Sequence, residues 1–275
     1  MNPHAAQPTS LKSMVGSLWN HRQLIAQMTK REVIGRYKGS VMGLLWSFLN
    51  PLFMLVVYTF VFSVVFKAKW GGGDESRTQF AVVLFAGMIV HALLADVLMR
   101  APGLILANAN YVKKVVFPLE ILVAIAAGSA LFHALVSLTV LMLAFVVFNG
   151  YLHWTIIFLP FILFPLLLLA LGCGWILASI GVFARDMGQV VTVLVTILMF
   201  LSPVFFPVNS LPEALRPWIM LNPLTFIIEQ TRAAVVWGEL PNWRGLGIYA
   251  VCALGFAWLG YGWFQKTRKG FADVL

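Results

Sequence analysis

Long apolar runs separated by short polar interruptions repeat along this chain. A helix needs about 20 residues to cross the hydrocarbon core of a bilayer. Runs meeting or approaching that length lie at about 41–66, 80–100, 119–148, 155–184, 189–201 and 245–264. They predict an all-α integral membrane fold with six transmembrane helices, occupying residues 39–265. At about 1.5 Å per residue the first run reaches about 39 Å, longer than the hydrocarbon core, so it tilts or kinks. Pro51 supplies a kink there, because it removes a backbone donor and crowds the preceding turn.

Two stretches depart from this pattern. Residues 1–10 are small and polar and are predicted to be disordered. From Leu11 onward, Leu11, Val15, Leu18, Ile25 and Met28 recur at helical spacing, interleaved with Lys12, Arg22, Lys30, Arg31, Arg36 and Lys38. That is too charged to span. It predicts an N-terminal amphipathic helix over 11–38, lying in the membrane interface and ended by Gly39 and Ser40. A soluble helix packed on another subunit is the alternative. The second stretch, Ser202 to Asn242, holds Pro203, Pro207, Pro212, Pro217, Pro223 and Pro241 between apolar pieces too short to cross. Broken backbone survives at membrane depth only where protein or water satisfies its polar groups. The pattern therefore predicts short re-entrant helices between spans five and six, with an extramembrane loop as the alternative. Aromatics at 205, 206, 218 and 226 favour contact with the interface.

Composition removes the soluble alternatives for the chain as a whole. Of 275 residues, 61% are hydrophobic and 11% charged, with mean hydropathy +0.90. Soluble domains carry about 25% charged residues, so a soluble enzyme, a disordered chain and a fibrous repeat are excluded. Residues 1–40 lack the apolar core of a signal peptide, and insertion is expected to begin from internal spans. Cys173 and Cys252 both lie in apolar runs and read as small core residues. The net charge of +9 becomes a topology signal once it is mapped. Thirteen Lys and Arg fall on the N-terminus, on Arg100 and the 101–117 connector after it, on the 184–188 connector and on the 266–275 tail, against six (Lys67, Lys69, Arg77, Arg216, Arg232 and Arg244) on the opposite side. That asymmetry places both termini in the cytoplasm, the tail included, and an even number of spans satisfies it. The basic residues face membrane lipids, and no nucleic acid partner is expected.

Little here suggests reaction chemistry. The chain has no G-x-x-x-x-G-K-[ST] phosphate loop, no Ser/His/Asp arrangement and no Cys/His cluster with metal-ligand spacing. His91, His133 and His153 are scattered singly. Asp96 stands four residues before Arg100, so the two share a helix face and can pair. So few intramembrane acids argue against a proton-driven carrier. Polar and aromatic stripes are more informative. Tyr58, Phe62 and Phe66 recur every fourth residue on span one, while Thr192, Thr196 and Met199, with Ser202 nearby, share a face of span five. Aromatic faces stack on sugar rings and hydroxyls exchange hydrogen bonds, which would let a glycan slide. Packing of span against span is the competing explanation.

The run Arg31-x4-Arg36-Tyr37-Lys38-Gly39-Ser40-x2-Gly43-x2-Trp46-x3-Asn50-Pro51 resembles the N-terminal segment of ABC-2 type permeases that export polysaccharides. Ser202-Pro203-Val204-Phe205-Phe206-Pro207, Leu221-Asn222-Pro223-Leu224-Thr225 and Ala184-Arg185-Asp186 extend the resemblance over about residues 15–265. The elbow and the SPVFFPV patch look closer to the O-antigen and teichoic acid exporters than to the capsule exporters. The resemblance implies a non-enzymatic subunit of the bacterial inner membrane, working as a homodimer with two copies of a separate ATPase. ATP and Mg would be bound by that partner, leaving this chain with no cofactor or metal of its own. The substrate it implies is a polyprenyl-pyrophosphate-linked glycan. On that basis Arg31, Arg36, Tyr37 and Lys38 are expected at the site of headgroup access. Tyr58, Phe62, Phe66, Thr192, Thr196 and Met199 are expected to line the glycan channel. Pro203, Phe205, Phe206, Pro207, Asn222 and Pro223 are expected at a periplasmic re-entrant gate. Asn108, Asn110, Lys113, Lys114, Arg185 and Asp186 are expected to couple to the ATPase. An ABC-2 permease for a small amphiphile, drug or lipid is the nearer alternative; a membrane scaffold or passive channel is the remoter one.

Overall fold

The computed structural model describes residues 8–66, 70, 77–113 and 117–275, the side chains of 63, 64, 77, 78 and 113 excepted. No strand occurs among the described residues. The amphipathic N-terminal segment is two helices, α1 (Leu11–Asn20) and α2 (Arg22–Arg36). The Ser10 side chain caps α1 by accepting from Ser13 N at 3.1 Å. Where the periodicity predicts one helix, His21 interrupts it with φ −98° and ψ 12°, and its Nδ1 lies 2.8 Å from the Ser17 carbonyl. After α2 the chain reverses at Gly39, whose φ of +89° only glycine adopts without strain.

The membrane-embedded part follows. A short 3₁₀ turn leads into α3 (Trp46–Tyr58), which contains Pro51 and continues as a π turn over Thr59–Val65. Next come α4 (Arg77–Arg100), a 3₁₀ turn at Ala101–Gly103, α5 (Leu104–Ala107) and α6 (Ala109–Lys113). α7 (Ile121–Asn149) ends on Gly150, and α8 (Leu159–Phe183) follows a 3₁₀ turn at Trp154–Phe158. α9 (Met187–Leu201), α10 (Arg216–Met220) and α11 (Pro223–Arg232) precede a second π turn, Ala233–Trp237. α12 (Trp243–Thr267) and α13 (Phe271–Val274) close the chain.

Among the described residues, five stretches are long and apolar enough to cross a membrane: Gly43–Phe62, Gln79–Ala107, Ile121–Asn149, Trp154–Phe183 and Trp243–Val274. The run expected as span five is α9, with 15 residues. It reaches only about 22 Å at 1.5 Å per residue, short of the ~30 Å core. The stretch after α9 is not one loop but a series of short helices, α10 and α11 among them.

Burial ranks the helices. α4 forms the centre: Val83, Leu84, Val90, Leu93 and Val97 are each buried against neighbours. α3 instead leaves Phe53 and Val56 exposed, and the π turn after it leaves Phe60 exposed. α8 and α12 cross at small residues, where a Cβ added to Gly172 would meet Ala257 Cα at 2.9 Å.

Polar contacts collect at the two ends. At one, Glu120 accepts from Ser17 Oγ at 2.7 Å and from Arg268 Nη1 at 3.0 Å, tying α1, the start of α7 and the C-terminal segment together. At the other, Thr155 Oγ1 donates to the Ala234 carbonyl at 2.6 Å, and His153 Nε2 lies 3.1 Å from the Val236 carbonyl. Those carbonyls belong to a π turn, whose bonding pattern leaves backbone acceptors to be satisfied from outside.

Candidate functional site

At the end of α4 nearest the elbow, the helices leave a cavity of about 410 Å³. Arg36, His91, Asp96, His133 and Ser137 supply its polar wall; Ile89, Leu93, Ala130 and Val195 supply the apolar one. A second cavity of about 310 Å³ shares Arg36, His133 and Ser137 and runs along α3 past Asn50, Met54 and Tyr58. The space is therefore amphipathic, with a cation at its mouth and an aromatic, hydroxylated interior.

Arg36 closes α2 and projects onto α4, where its Nη2 donates to both Asp96 carboxylate oxygens at 3.2 Å. Asp96 in turn faces Arg100 Nη1 at 3.6 Å, and Arg100 Nη2 donates to Glu32. The helical pair expected between Asp96 and Arg100 is thus one link in a chain running Arg36, Asp96, Arg100, Glu32. The Arg36 side chain is 36% exposed and that of Asp96 26%. Ion pairs this wet are worth at most about 1 kcal/mol, so an anion of higher charge can compete for Arg36. Beside it, the Tyr37 hydroxyl lies 3.5 Å from His133 Nδ1, and His133 Nε2 is buried without a partner. Burial pushes the Tyr37 phenol above its usual range, which keeps it a neutral donor.

The expected headgroup residues do not all converge. Arg36 and Tyr37 face the cavities, whereas Lys38 is exposed on the elbow. Arg31 lines a separate recess of about 230 Å³ with Glu32, Asn108 and Tyr111. Five residues along a helix is a rotation of about 140°, so positions 31 and 36 address different surfaces.

Aromatics expected on the channel form a continuous file. Tyr58 and Phe62 have ring centroids 6.5 Å apart, and Phe62 and Phe66 5.7 Å. Tyr58 and Phe62 also pack on Phe85 and Phe80 of α4, so packing uses part of the stripe, while Phe66 is exposed. On α9, Thr192 and Thr196 lie on the exposed face opposite buried Val191 and Val195, and Met199 is half-buried. The hydroxyls of Thr192 and Thr196 donate to Gly188 O and Thr192 O, each at 2.9 Å.

In the broken segment, Phe205 stacks on Phe62 and on Phe200, while Phe206 and Pro207 are half-buried. Asn222 caps α11 through Leu224 N at 2.9 Å, and its Nδ2 donates to Leu201 O at 3.1 Å and Ser202 Oγ at 3.0 Å. Pro223 occupies the first helical position, where a missing N–H costs nothing. At the connector, Asn108 Nδ2 donates to Leu104 O at 2.8 Å, Asn110 is exposed and Lys113 ends α6. Lys114 lies outside the described residues. Arg185 and Asp186 are exposed between α8 and α9. Among the described residues no three His, Cys, Asp or Glu side chains gather as a metal site, and both cysteines are free.

The sequence profile of the ABC-2 type transporter family matches residues 23–236. The chain belongs to that family. It is 25% identical over 264 residues to the O-antigen export system permease protein RfbA of Myxococcus xanthus, covering 95% of this chain and 99% of that one. It is 27% identical over 244 residues to the polysialic acid transport protein KpsM of Escherichia coli, covering 87% and 91%. The capsule polysaccharide export inner-membrane protein CtrC of Neisseria meningitidis serogroup A is 24% identical over 268 residues, covering 94% and 96%. Identities this similar do not separate the O-antigen relative from the capsule relatives.

One residue of this ABC-2 permease escapes sequence reasoning. Arg232, counted above only as a basic residue of the far side, is fully buried. Its Nε donates to Val83 O at 3.0 Å, Nη1 to Pro203 O at 2.6 Å and to Glu229 Oε1 at 2.9 Å, and Nη2 to Val204 O at 2.9 Å. The Trp70 ring covers the guanidinium at 4.3 Å. The available signal was Glu229 three residues earlier, an acid and a base on one face of a short helix.

Proposed function

We propose that this ABC-2 permease is the membrane-spanning half of an ATP-driven exporter that moves a polyprenyl-pyrophosphate-linked polysaccharide across the bacterial cytoplasmic membrane. The observation that carries this is the amphipathic cavity under Arg36. A cation loosely held by a carboxylate suits an incoming diphosphate, whose two charged groups a guanidinium binds in bidentate fashion. The aromatic and hydroxylated wall beyond it, from Tyr37 to Tyr58, suits the sugars that follow. Relatives named for O-antigen and capsule polysaccharide export support the same substrate class.

In this proposal α9 is a sixth crossing completed by the broken segment after it, and both termini are cytoplasmic. Two permeases pair, and the exposed faces of α3 and α9 border the conduit. ATP is hydrolysed by a separate subunit docked on the Asn108–Lys113 connector, with Arg185 and Asp186 as a second contact. The recess shared by Arg31 and Asn108 then joins the interfacial helix to that docking surface.

Reconstitution with the partner ATPase tests the proposal. Undecaprenyl diphosphate carrying a short glycan should stimulate ATP hydrolysis and reach the far side of the vesicle. The Arg36→Glu variant should insert normally and lose both responses. Equal stimulation by a lipid lacking the glycan and diphosphate would instead favour a small-amphiphile exporter.

A further inference from the structure

A fully buried guanidinium with four hydrogen bonds and an aromatic cover is an unusual investment for a membrane protein. Three of its acceptors are backbone carbonyls: Val83 in the second turn of α4, and Pro203 and Val204 just after α9 ends. Arg232 therefore joins three separate pieces of backbone, its own helix α11 included. Satisfying carbonyls freed by a broken helix is what membrane depth demands. A planar five-donor fork can do so in several directions at once.

The contacts close into a circuit. Arg232 sits under Trp70, and Trp70 packs on Phe80 with centroids 5.5 Å apart. Phe80 stacks on Phe62 at 5.5 Å, and Phe62 stacks on Phe205 at 6.4 Å. Phe205 directly follows Val204, whose carbonyl returns to Arg232. Both π turns abut this circuit: Phe62 lies inside the first, and Arg232 immediately precedes the second. π turns are often found where a helix must reshape for function. Space is tight as well, since a Cβ added to Gly87 would stand 2.8 Å from Arg232 Nη2.

We propose that Arg232 is the positioning residue of the exit, holding the break at 203–206 against α4 and α3 so that Phe205 stays on Phe62 between transport events. The inference rests on the export reading given above, in which this end of the molecule is where polymer leaves. Arg232 touches no substrate in this scheme. It acts through the two carbonyls that set where Phe205 stands, and loosening it leaves the exit ajar.

The test uses the permease and its ATPase in liposomes loaded with carboxyfluorescein, with efflux measured without nucleotide and normalised to folded complex. Lysine keeps the charge but loses the fork, so Arg232→Lys should raise nucleotide-independent efflux at least fivefold while ATP hydrolysis persists. Gly87→Ala keeps the guanidinium and only displaces it, and should raise efflux about two- to fivefold. Trp70→Ala, which removes the cover and keeps the hydrogen bonds, should have the smallest effect. Should Arg232→Lys fail to assemble, Gly87→Ala decides. Efflux at the wild-type level per folded complex in Gly87→Ala and in any assembled Arg232→Lys overturns the proposal, even where yield falls, because that is the mark of a merely structural role. Failure of the wild type to export lipid-linked glycan would refute the substrate reading, while the efflux contrast would still decide the clamp.

Discussion

Arg36 and Arg232 stand at opposite ends of the same permease and use the same guanidinium in opposite ways. Arg36 is part-exposed, faces a cavity and is held by a carboxylate it shares with Arg100. Arg232 is sealed from solvent and bonded mainly to backbone carbonyls. A carboxylate can be exchanged for another anion when one arrives, whereas carbonyls of a broken helix cannot leave without losing their partner. In the proposed scheme the first site suits turnover of a ligand and the second permanence. The contrast separates a candidate binding site from a scaffold better than charge or hydropathy alone could.

The largest expected effect comes from removing the permanent partner. Arg232→Ala strands the carbonyls of Pro203 and Val204, just past the end of α9, in a dry interior. Breaking such a buried network costs about 3–5 kcal/mol, or about 10 °C in the apparent melting temperature of the detergent-solubilised permease. Arg36→Ala should cost no more than about 1 kcal/mol and melt within a few degrees of wild type. Equal losses in the two variants would erase the distinction between the sites.

Charge exchange sharpens it next. Arg36→Glu combined with Asp96→Arg restores an ion pair between α2 and α4 but places the cation on α4. Export of lipid-linked glycan should remain at least tenfold below wild type although the pair is remade. Recovery of export would mean that Arg36 serves only to attach the interfacial helix.

Much of this architecture is visible in one dimension, and the reasons for the exceptions differ. Apolar runs mark the crossing helices because a bilayer demands length and apolarity of each one separately. The proline-rich stretch after Leu201 marks broken backbone for the same local reason. The division at His21 carries no proline or glycine, so periodicity runs through it unbroken. Partners of Asp96 and Arg232 come from 60 and 149 residues away, at Arg36 and Val83, distances no pattern along the chain encodes. A count of basic residues by side treats every cation as solvated and so gives no sign that Arg232 is buried. The residues expected at the headgroup divide because spacing along the elbow does not encode angular position around α2, which decides which surface each side chain meets.

A smaller effect is expected from the acid that occupies Arg36. Asp96→Asn keeps the shape and removes the competing charge. A pair worth about 0.2–1 kcal/mol corresponds to a gain of roughly 1.4-fold to fivefold in affinity for the incoming anion. The KM for lipid diphosphate in stimulated ATP hydrolysis should therefore fall, with kcat little changed. A raised KM would show that Asp96 orients Arg36 for binding and does not hold its place.

The smallest effect tests whether exchangeable contacts extend beyond Arg36 into the conduit. Thr192 and Thr196 are exposed on α9, yet each hydroxyl hydrogen is already committed to a carbonyl one turn back. Only the oxygen lone pairs remain for a sugar hydroxyl, so each residue offers an acceptor and no free donor. Replacing both with valine preserves shape and β-branching. A helical Thr bonded to its own backbone contributes little to stability, so the double variant should change stability by less than about 0.5 kcal/mol. If a glycan slides along this face, losing its acceptors should slow export about twofold at saturating substrate while leaving KM unchanged. A wild-type rate would confine the exchangeable chemistry of this permease to the cavity under Arg36 and return the α9 face to lipid or to protein packing.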